Sequence, residues 1–263
     1  MRVIGIIPVR MQSSRLPGKP LANIHGIPMV GHVYHRCKLS QQLNAVYIAT
    51  CDESIARYAQ SIGAPCIMTS NTHQRASDRV AEALLSIENN TGEKAEIIVM
   101  VQGDEPMVCP QMIDEAIQPL LVDTNKNVVN LMAELISEEE FEDPNEVKVV
   151  VNLKQEALYF SREPIPSRKK YMSKVPMYKQ VCVIPFRRDY LLEFNQLSET
   201  PLEIVESVDM MRILEHGGKV HMVKTKQRTL SVDTSYDLER VIQLMKNDSL
   251  LSHYAKMREA ETL

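Results

Sequence analysis

The apolar run Val3–Ile7 continues directly into a basic segment with three prolines, residues 8–20, and this junction constrains the fold more than any other feature. The run predicts a buried first strand, and the prolines favour a shaped loop over a helix in the segment that follows. In an α/β sheet, the loop after the first strand lies at the edge where such folds bind ligands. We therefore expect an α/β fold with a binding site at this loop.

The cations of this loop indicate the chemistry of its ligand. Arg10, Arg15 and Lys19 lie within ten residues. Guanidinium forks match phosphate oxygens and an ammonium acts as a point charge, so a polyphosphate fits, and the stiff prolines lower the entropy lost on binding. A solvated basic loop is the alternative. A Walker-type phosphate loop is excluded, because Pro20 follows Gly18-Lys19 and no glycine stands at the required spacing.

Length and composition limit the classes of protein. The 263 residues suffice for one large α/β domain or two small ones. The net charge of −4 argues against nucleic-acid binding, no apolar run approaches a membrane helix in length, and the immediate entry into a strand argues against a secretory signal. Five scattered cysteines, without a C-x-x-C pair, indicate a reduced, cytoplasmic protein rather than a disulfide framework or zinc site.

Strand-like runs alternate with helix-like periods in the first half, which predicts a mostly parallel sheet. The predicted strands are Val3–Ile7, Val46–Thr50, Cys66–Thr69, Ile97–Gln102 and Asn127–Ala133. The predicted helices are Met29–Leu39, Ile55–Ile62, Asp78–Ile87 and Gln111–Leu121. Asp52 and Ser77 can cap two of these helices.

The second half is less regular. Its predicted strands are Val147–Asn152, Ala157–Phe160, Gln180–Phe186 and Lys219–Lys224. Its predicted helices begin near Arg188, span about Leu202–Glu215 and close the chain over Ser235–Lys246. No stretch has the composition of a linker. We therefore expect a single nucleotide-binding domain over residues 1–263, with a mixed, mostly parallel sheet flanked by helices and a strand-rich insertion at about 135–190.

Two acids are expected on the same rim as the basic loop. Asp104 follows the predicted strand that ends at Gln102, and Asp233 lies between the last predicted strand and helix. Two carboxylates beside a triphosphate would hold Mg²⁺ through one or two protein ligands plus phosphate oxygens. A role for Asp233 as the cap of the last predicted helix is an equal alternative. Gly103 favours Asp104 for chemistry, because glycine permits close approach of the backbone to a ligand.

With these segments in place, the chain resembles the 3-deoxy-manno-octulosonate cytidylyltransferases, or CMP-Kdo synthetases, over nearly its full length. The matching segments, in family order, are Ile7-Pro8-x-Arg10, Ser14-Arg15-Leu16-Pro17-Gly18-Lys19-Pro20-Leu21, Gly26-x-Pro28-Met29, Ala49-Thr50-x-Asp52, Val101-Gln-Gly-Asp-Glu-Pro106, Pro144-Asn-x-Val-Lys-Val149, Ala157-Leu-Tyr-Phe-Ser-Arg162, Pro201-Leu-Glu203 with Glu206 and Arg212, Val232-Asp-Thr234 and Asp237-Leu-Glu-Arg240.

The resemblance implies a magnesium-dependent transfer of CMP from CTP to the anomeric hydroxyl of a 2-keto-3-deoxy sugar acid, with release of pyrophosphate. It implies catalytic roles for Lys19, Arg15 and Asp104, and magnesium ligation by Asp104 and Asp233. Nucleotide binding is implied for Arg10, Ser14, Arg15, Lys19, His73, Ser77, Arg79 and Gln102. Binding of the sugar acid is implied for Gln102, Arg162, Gln180, Glu203 and Glu206. It also suggests a homodimer formed through about residues 135–190. Transfer of this kind needs positioning and charge neutralisation, so no nucleophilic side chain is expected.

Two segments depart from the family pattern. In His73–Arg79, Arg75 and Ala76 replace a small residue and a glycine, which leaves the cytosine loop with less backbone freedom. The retained Ser77, Asp78 and Arg79 still favour CTP.

The second departure lies at the sugar site. Gln180, Cys182 and Ile184 stand where the family has histidine, glycine and tyrosine, and Met210 replaces a glutamine. Isoleucine cannot replace a phenolic hydroxyl. Three hypotheses follow: a synthetase with Kdo as its default acceptor, an enzyme that activates a modified octulosonate, another ulosonic acid or a phosphonate, and a non-catalytic nucleotide-binding paralogue.

Overall fold

The computed structural model describes residues 1–13, 15–169 and 176–261. Within these ranges the strands are β1 (Val3–Pro8), β2 (Asn23–Ile24), β3 (Ile27–Pro28), β4 (Ala45–Thr50), β5 (Cys66–Met68), β6 (Ile97–Val101), β7 (Val129–Glu134), β8 (Lys148–Val151), β9 (Ala157–Ser161), β10 (Tyr178–Val181), β11 (Val183–Arg187) and β12 (His221–Thr225). The helices are α1 (Met29–Lys38), α2 (Glu53–Ser61), α3 (Ala76–Thr91), α4 (Pro110–Val122), α5 (Glu138–Glu142), α6 (Arg188–Phe194), α7 (Pro201–Glu206), α8 (Met210–Glu215), α9 (Ser235–Met245) and α10 (Ser249–Glu261).

Two five-stranded sheets form the centre of the described structure. The first has the order β11-β6-β1-β4-β5, in which only β11 is antiparallel to its neighbour. The second has the order β12-β7-β10-β8-β9, in which only β12 and β7 pair in parallel. A bridge between Val128 and Phe186 joins the two sheets. The predicted α/β class with a mixed sheet is confirmed.

Strand β1 is buried on both faces, as its continuous apolar sequence predicts for a central parallel strand. Val3 and Ile7 pack on the side of α1 and α4, whereas Ile4 and Ile6 pack on the side of α3. The parallel strands therefore end at one common edge, where the loops after β1 and β6 meet.

Most predicted elements of the first half are confirmed with small changes at their ends; of the two predicted caps, the position of Asp52 is confirmed and that of Ser77 is wrong. Asp52 stands at the N-cap of α2, yet its Oδ2 accepts a hydrogen bond of 2.7 Å from the amide of Met11 and so holds the basic loop. Arg75, not Ser77, is the N-cap residue of α3. The periodicity located the helices but could not show which side chains face the helix ends.

One strand and one helix predicted in the second half are each divided into two elements in the structure. The strand Gln180–Phe186 breaks at Cys182 into β10 and β11, which pair with β7 and β6 in different sheets. The helix Leu202–Glu215 breaks at Ser207, whose left-handed φ of 53° ends α7 before α8 begins. The short hairpin β2–β3 and the helix α10 were not predicted. None of the described helices is both long and apolar enough to cross a membrane.

Candidate active site

A cavity of about 410 Å³ lies at the edge where β1 and β6 end, a volume within the range of small-molecule sites. The cavity brings together predicted residues from distant parts of the sequence. Those that line it are Arg10, Arg15, Lys19, His73, Arg79, Gln102, Asp104, Arg162, Gln180 and Asp233. Ser77, Glu203 and Glu206 are not among its lining residues, and Ser14 lies outside the described residues.

Lys19 lies between the two predicted magnesium ligands. Its Nζ is 2.8 Å from Oδ2 of Asp104 and 3.2 Å from Oδ1 of Asp233, and it donates a further 2.8 Å bond to the carbonyl of Val232. Burial lowers the pKa of Lys19, but the two carboxylates outweigh this effect and the pKa is raised above its ordinary value. A full positive charge therefore holds two carboxylate oxygens together at the cavity.

Backbone contacts fix the positions of both acids. The amide of Val232 donates a 2.9 Å hydrogen bond to the carbonyl of Asp104. A Cβ at Gly103 would lie 1.9 Å from Cγ1 of Val9, so glycine is required for packing against the protein; Gly103 also lines the cavity, and its approach to a ligand stays a prediction. The cap of α9 is Thr234, whose side chain accepts from the amide of Asp237, so Asp233 is not the cap.

The basic loop is anchored on both sides of the cavity. Arg15 donates a 2.8 Å hydrogen bond to Oδ1 of Asp233 and a second bond to Oδ1 of Asn145. Arg10 reaches the carbonyl of His73 at 3.4 Å. Arg10 and Arg15 thus lie on the rim beside Lys19, with their guanidinium groups against acceptors that a ligand can replace.

Segment 73–79 forms a wall of the cavity beside Arg10. His73 contacts Glu82 through Nε2, and the buried Arg79 donates to Oγ1 of Thr69 and, at 3.3 Å, to the carbonyl of Ser70. Ser77 is buried and donates a 2.6 Å hydrogen bond to Oδ2 of Asp209. Arg79 and Ser77 therefore serve first to shape this wall.

Arg162 is held by main-chain carbonyls. Its Nε donates 2.7 Å to Glu206 O and one terminal nitrogen donates 2.9 Å to Pro144 O. The carboxylate of Glu206 accepts from the amide of Arg162 at 2.8 Å, while Lys148 binds the carbonyl of Arg162 at 2.6 Å. Within the described residues Arg162 forms no ion pair within 4.0 Å, so its charge is available to an acidic ligand. Glu206 orients Arg162 from outside the cavity.

Gln180 presents a defined face to the cavity. Asn130 donates through Nδ2 to the carbonyls of Leu131 and Val181, so its Oδ1 accepts from Nε2 of Gln180 at 2.6 Å. The remaining Oε1 of Gln180 is an acceptor. Gln102, which also lines the cavity, donates its backbone amide to the carbonyl of Cys182 at 3.1 Å.

Glu203 has a structural role that the sequence did not reveal. It is fully buried, and both of its carboxylate oxygens accept 2.7 Å hydrogen bonds from Arg212. It also forms the capping box of α7 with Thr200. The predicted contact of Glu203 with the sugar acid is therefore wrong as a direct contact, because the carboxylate is satisfied and lies outside the cavity lining.

Family comparison decides what kind of protein has this site. A family model described as cytidylyltransferase matches residues 4–227. The chain belongs to the cytidylyltransferase family. It is 41% identical over 253 residues to the 3-deoxy-manno-octulosonate cytidylyltransferase of Geobacter metallireducens, with 92% of this chain and 97% of that protein covered. It is 38% identical over 256 residues to the same enzyme of Parabacteroides distasonis, with 94% and 99% covered.

A solved structure extends this similarity to the fold. A CMP:2-keto-3-deoxy-manno-octonic acid synthetase complexed with CTP superposes with a TM-score of 0.83 at 36% identity, covering 93% of this chain and 98% of that one. The predicted family and its nucleotidyltransferase class are confirmed. The two departures from the family pattern therefore lie within a conserved architecture.

The cavity contains two further acids, of which sequence reasoning missed Asp209. Asp209 lines it, and burial raises the pKa of this carboxyl although Ser77 and Arg75 act in the opposite direction. Glu105 also lines it, and burial followed by the charge of Asp104 raises its pKa to about 7. Asp209 follows a helix break that periodicity does not reveal. Glu105 was expected on the rim beside Asp104, but its partners come from distant segments: Thr229 donates a 2.8 Å hydrogen bond to it, and the charge of Lys179 acts to lower its pKa.

Ile184, Cys182 and Met210 line the cavity, and their place at the sugar site, which the resemblance implies, stays a prediction. Ile184 and Met210 are buried, and burial, with Glu105 and Asp104, raises the pKa of Cys182 well above its ordinary value. The thiol is therefore protonated at neutral pH and is a poor nucleophile.

Proposed function

We propose that this cytidylyltransferase transfers CMP from CTP to the anomeric hydroxyl of a 2-keto-3-deoxy sugar acid, with Kdo as the default acceptor, and releases pyrophosphate. The observation that carries the proposal is the position of Lys19, which holds Asp104 and Asp233 together on the rim that also bears Arg10 and Arg15. The similarity to a synthetase complexed with CTP supports it over nearly the whole chain.

The phosphate end of the cavity is formed by Arg10, Arg15 and Lys19. Arg15 and Lys19 form ion pairs with the two acids. A triphosphate would give these cations better acceptors, since charge-assisted bonds to phosphate are among the stronger hydrogen bonds. Binding would thereby free oxygens of Asp104 and Asp233.

Those oxygens suit magnesium. Oδ2 of Asp104 and Oδ1 of Asp233 both lie within 3.2 Å of a single atom, so one cation can reach both. Among the described residues no three side chains of His, Cys, Asp or Glu form a group that could hold a metal. Two carboxylates completed by phosphate oxygens are a common arrangement for Mg²⁺. When bound, the ion neutralises charge on the phosphates and lowers the pKa of the attacking hydroxyl.

The acid end is formed by Arg162 and Gln180. The Arg162 guanidinium, bound only to carbonyls among the residues described, is a partner for a carboxylate. Oε1 of Gln180 accepts a hydrogen bond from a hydroxyl or amine of the acceptor. Attack on the α-phosphorus is then a matter of alignment between two bound substrates, without a covalent enzyme intermediate.

Activation of a different acid is the second candidate, because apolar side chains replace polar ones at the acceptor wall. Ile184 and Met210 provide no hydrogen bond to a sugar hydroxyl. A modified octulosonate, another ulosonic acid or a phosphonate could fit this wall. A non-catalytic paralogue is disfavoured by the joint presence of Lys19, Asp104 and Asp233. The homodimer through about residues 135–190 and the cytoplasmic location remain predictions.

The test is magnesium-dependent release of pyrophosphate from CTP, measured in parallel with Kdo, 8-amino-Kdo, sialic-type acids and simple phosphonates. We expect fast release with Kdo and slow release with phosphonates. Release only with another acid would reassign the acceptor while leaving the transfer intact. Absence of release with all acids would contradict the proposed function.

A further inference from the structure

Arg75 connects two parts of the cavity. One is segment 73–79, the proposed nucleotide wall, and the other is the turn between α7 and α8 that contacts Arg162, the proposed acid wall. Arg75 stands at the start of α3, and one of its terminal nitrogens donates a 3.1 Å hydrogen bond to Oγ of Ser207, at the end of α7. Its Nε is 3.5 Å from Glu199, 3.6 Å from Glu203 and 3.9 Å from Asp209. This side chain thus joins segment 73–79 to the turn between α7 and α8.

Arg75 adds a second cation, after Arg212, to a group of three acids, but charge balance does not require its hydrogen bond to Ser207. Glu203 already receives two 2.7 Å hydrogen bonds from Arg212, and Asp209 accepts from Ser77 at 2.6 Å. The closest contact of Arg75 is to a neutral hydroxyl. Its position therefore points to a role in fixing the turn.

Arg162 binds the other side of the same turn. Its Nε donates 2.7 Å to the carbonyl of Glu206, and a terminal nitrogen reaches the carbonyl of Ser207 at 3.5 Å. Ser207 has a φ of 53°, a left-handed conformation that a non-glycine residue keeps only where its surroundings hold it. The residue pair 206–207 therefore lies between two arginines, one from each wall of the cavity.

We propose that Arg75 is a positioning residue that couples the two subsites: a nucleotide bound against segment 73–79 fixes Arg75, which fixes the turn at Ser207 and so orients Arg162 toward the acid. This inference rests on the proposed function. Because coupling between sites is reciprocal, the acid must tighten nucleotide binding by the same factor. The departure from the family at position 75 thus has a specific consequence for this chain.

Hydrogen exchange tests the coupling without knowledge of the acceptor. The probe is α,β-methylene-CTP with Mg²⁺, and the reporters are the amides of Ser207, Val208 and Arg162. In the wild type, saturating analogue should slow their exchange by about tenfold, within the usual range of coupling factors. Arg75→Ala should bind the analogue and lose this slowing. Ser207→Ala, which keeps the guanidinium and removes its acceptor, should lose it too.

The control is Arg57→Ala, which removes an exposed arginine of α2 and should behave as the wild type. Wild-type slowing in both Arg75→Ala and Ser207→Ala would overturn the inference. So would a wild type that binds the analogue without slowing at these amides, and that result would leave the nucleotide site intact. Failure of the wild type to bind the analogue would instead refute the proposed function, and the coupling with it.

A second measurement reads the coupling from the acid side. With Kdo as the titrant, its Kd should fall about tenfold in the presence of saturating analogue. The double variant Arg75→Ala/Ser207→Ala should lose no more of this tenfold effect on the Kd than either single variant does, because both substitutions remove the same link. Additive losses would show that the two residues act separately and would contradict the proposal.

Discussion

The amide of Val232 donates a 2.9 Å hydrogen bond to the carbonyl oxygen of Asp104, which joins the loop after β6 to the loop before α9. This bond places Asp233 beside Asp104, and Lys19 completes the cluster through contacts with both side chains and with the carbonyl of Val232. The two acids therefore form one site, although they come from opposite halves of the chain.

Asp104→Asn should fold normally and lose most turnover, because the amide is neutral and binds a cation poorly. Metal-assisted charge stabilisation contributes several kcal/mol, so we expect a loss of about a hundredfold or more. The measurement is the initial rate at increasing Mg²⁺, with Asp189→Asn, an almost fully exposed acid, as the matched control. Wild-type rates in Asp104→Asn would remove Asp104 from the metal site.

Arg162→Lys should raise KM for the acid and leave KM for CTP within about twofold. Loss of a bidentate, charge-assisted contact costs about 1.5–3 kcal/mol, which corresponds to about ten- to a hundredfold. Arg187→Lys is the matched control, because Arg187 also donates to three backbone carbonyls but lies outside the cavity lining. An equal rise in KM for CTP would assign Arg162 to the nucleotide instead.

Glu203→Gln should lower the free energy of unfolding by about 3 kcal/mol or more, because it leaves the Arg212 guanidinium without its buried partner. The protein that remains folded should bind the acid with nearly unchanged KM. Urea unfolding and steady-state kinetics measure the two effects, and Glu115→Gln, which changes an exposed acid of α4, is the control. A large rise in KM without loss of stability would restore Glu203 to the substrate site.

The lowered pKa of His32, which is not among the cavity-lining residues, predicts that stability depends on pH. Burial lowers its pKa to about 4, and its ring lies between the carbonyl of Ile24 at 2.8 Å and the hydroxyl of Tyr254 at 2.6 Å. The unfolded chain takes up a proton near pH 6.5 and the native state does not until about pH 4, so stability falls as the pH drops through this window. The difference in the free energy of unfolding between the wild type and His32→Gln should shrink by about 2 kcal/mol between pH 7.5 and 4.5.

Urea unfolding at these two pH values measures the effect. The control His253→Gln replaces an exposed histidine of α10 and should follow the wild type at both. An advantage that does not change with pH would mean that the native state also takes up the proton at His32.

The sequence predicted the cluster around Lys19 because parallel strands end at one edge, so residues that follow β1 and β6 must meet there. It could not predict that β10 and β11 separate at Cys182, because strand pairing depends on distant partners and the apolar pattern is continuous across the break. The pair Glu203–Arg212 was missed for a similar reason. Only the left-handed turn at Ser207 folds α8 back so that Arg212 reaches Glu203.

The most direct test of the account is a reaction of CTP, Mg²⁺ and Kdo whose anomeric oxygen carries ¹⁸O. We predict one CMP-Kdo for each pyrophosphate, with the label in the bridge between phosphorus and sugar and none in pyrophosphate. Pyrophosphate released without a CMP conjugate, or label in pyrophosphate, would contradict attack of the sugar acid on the α-phosphorus.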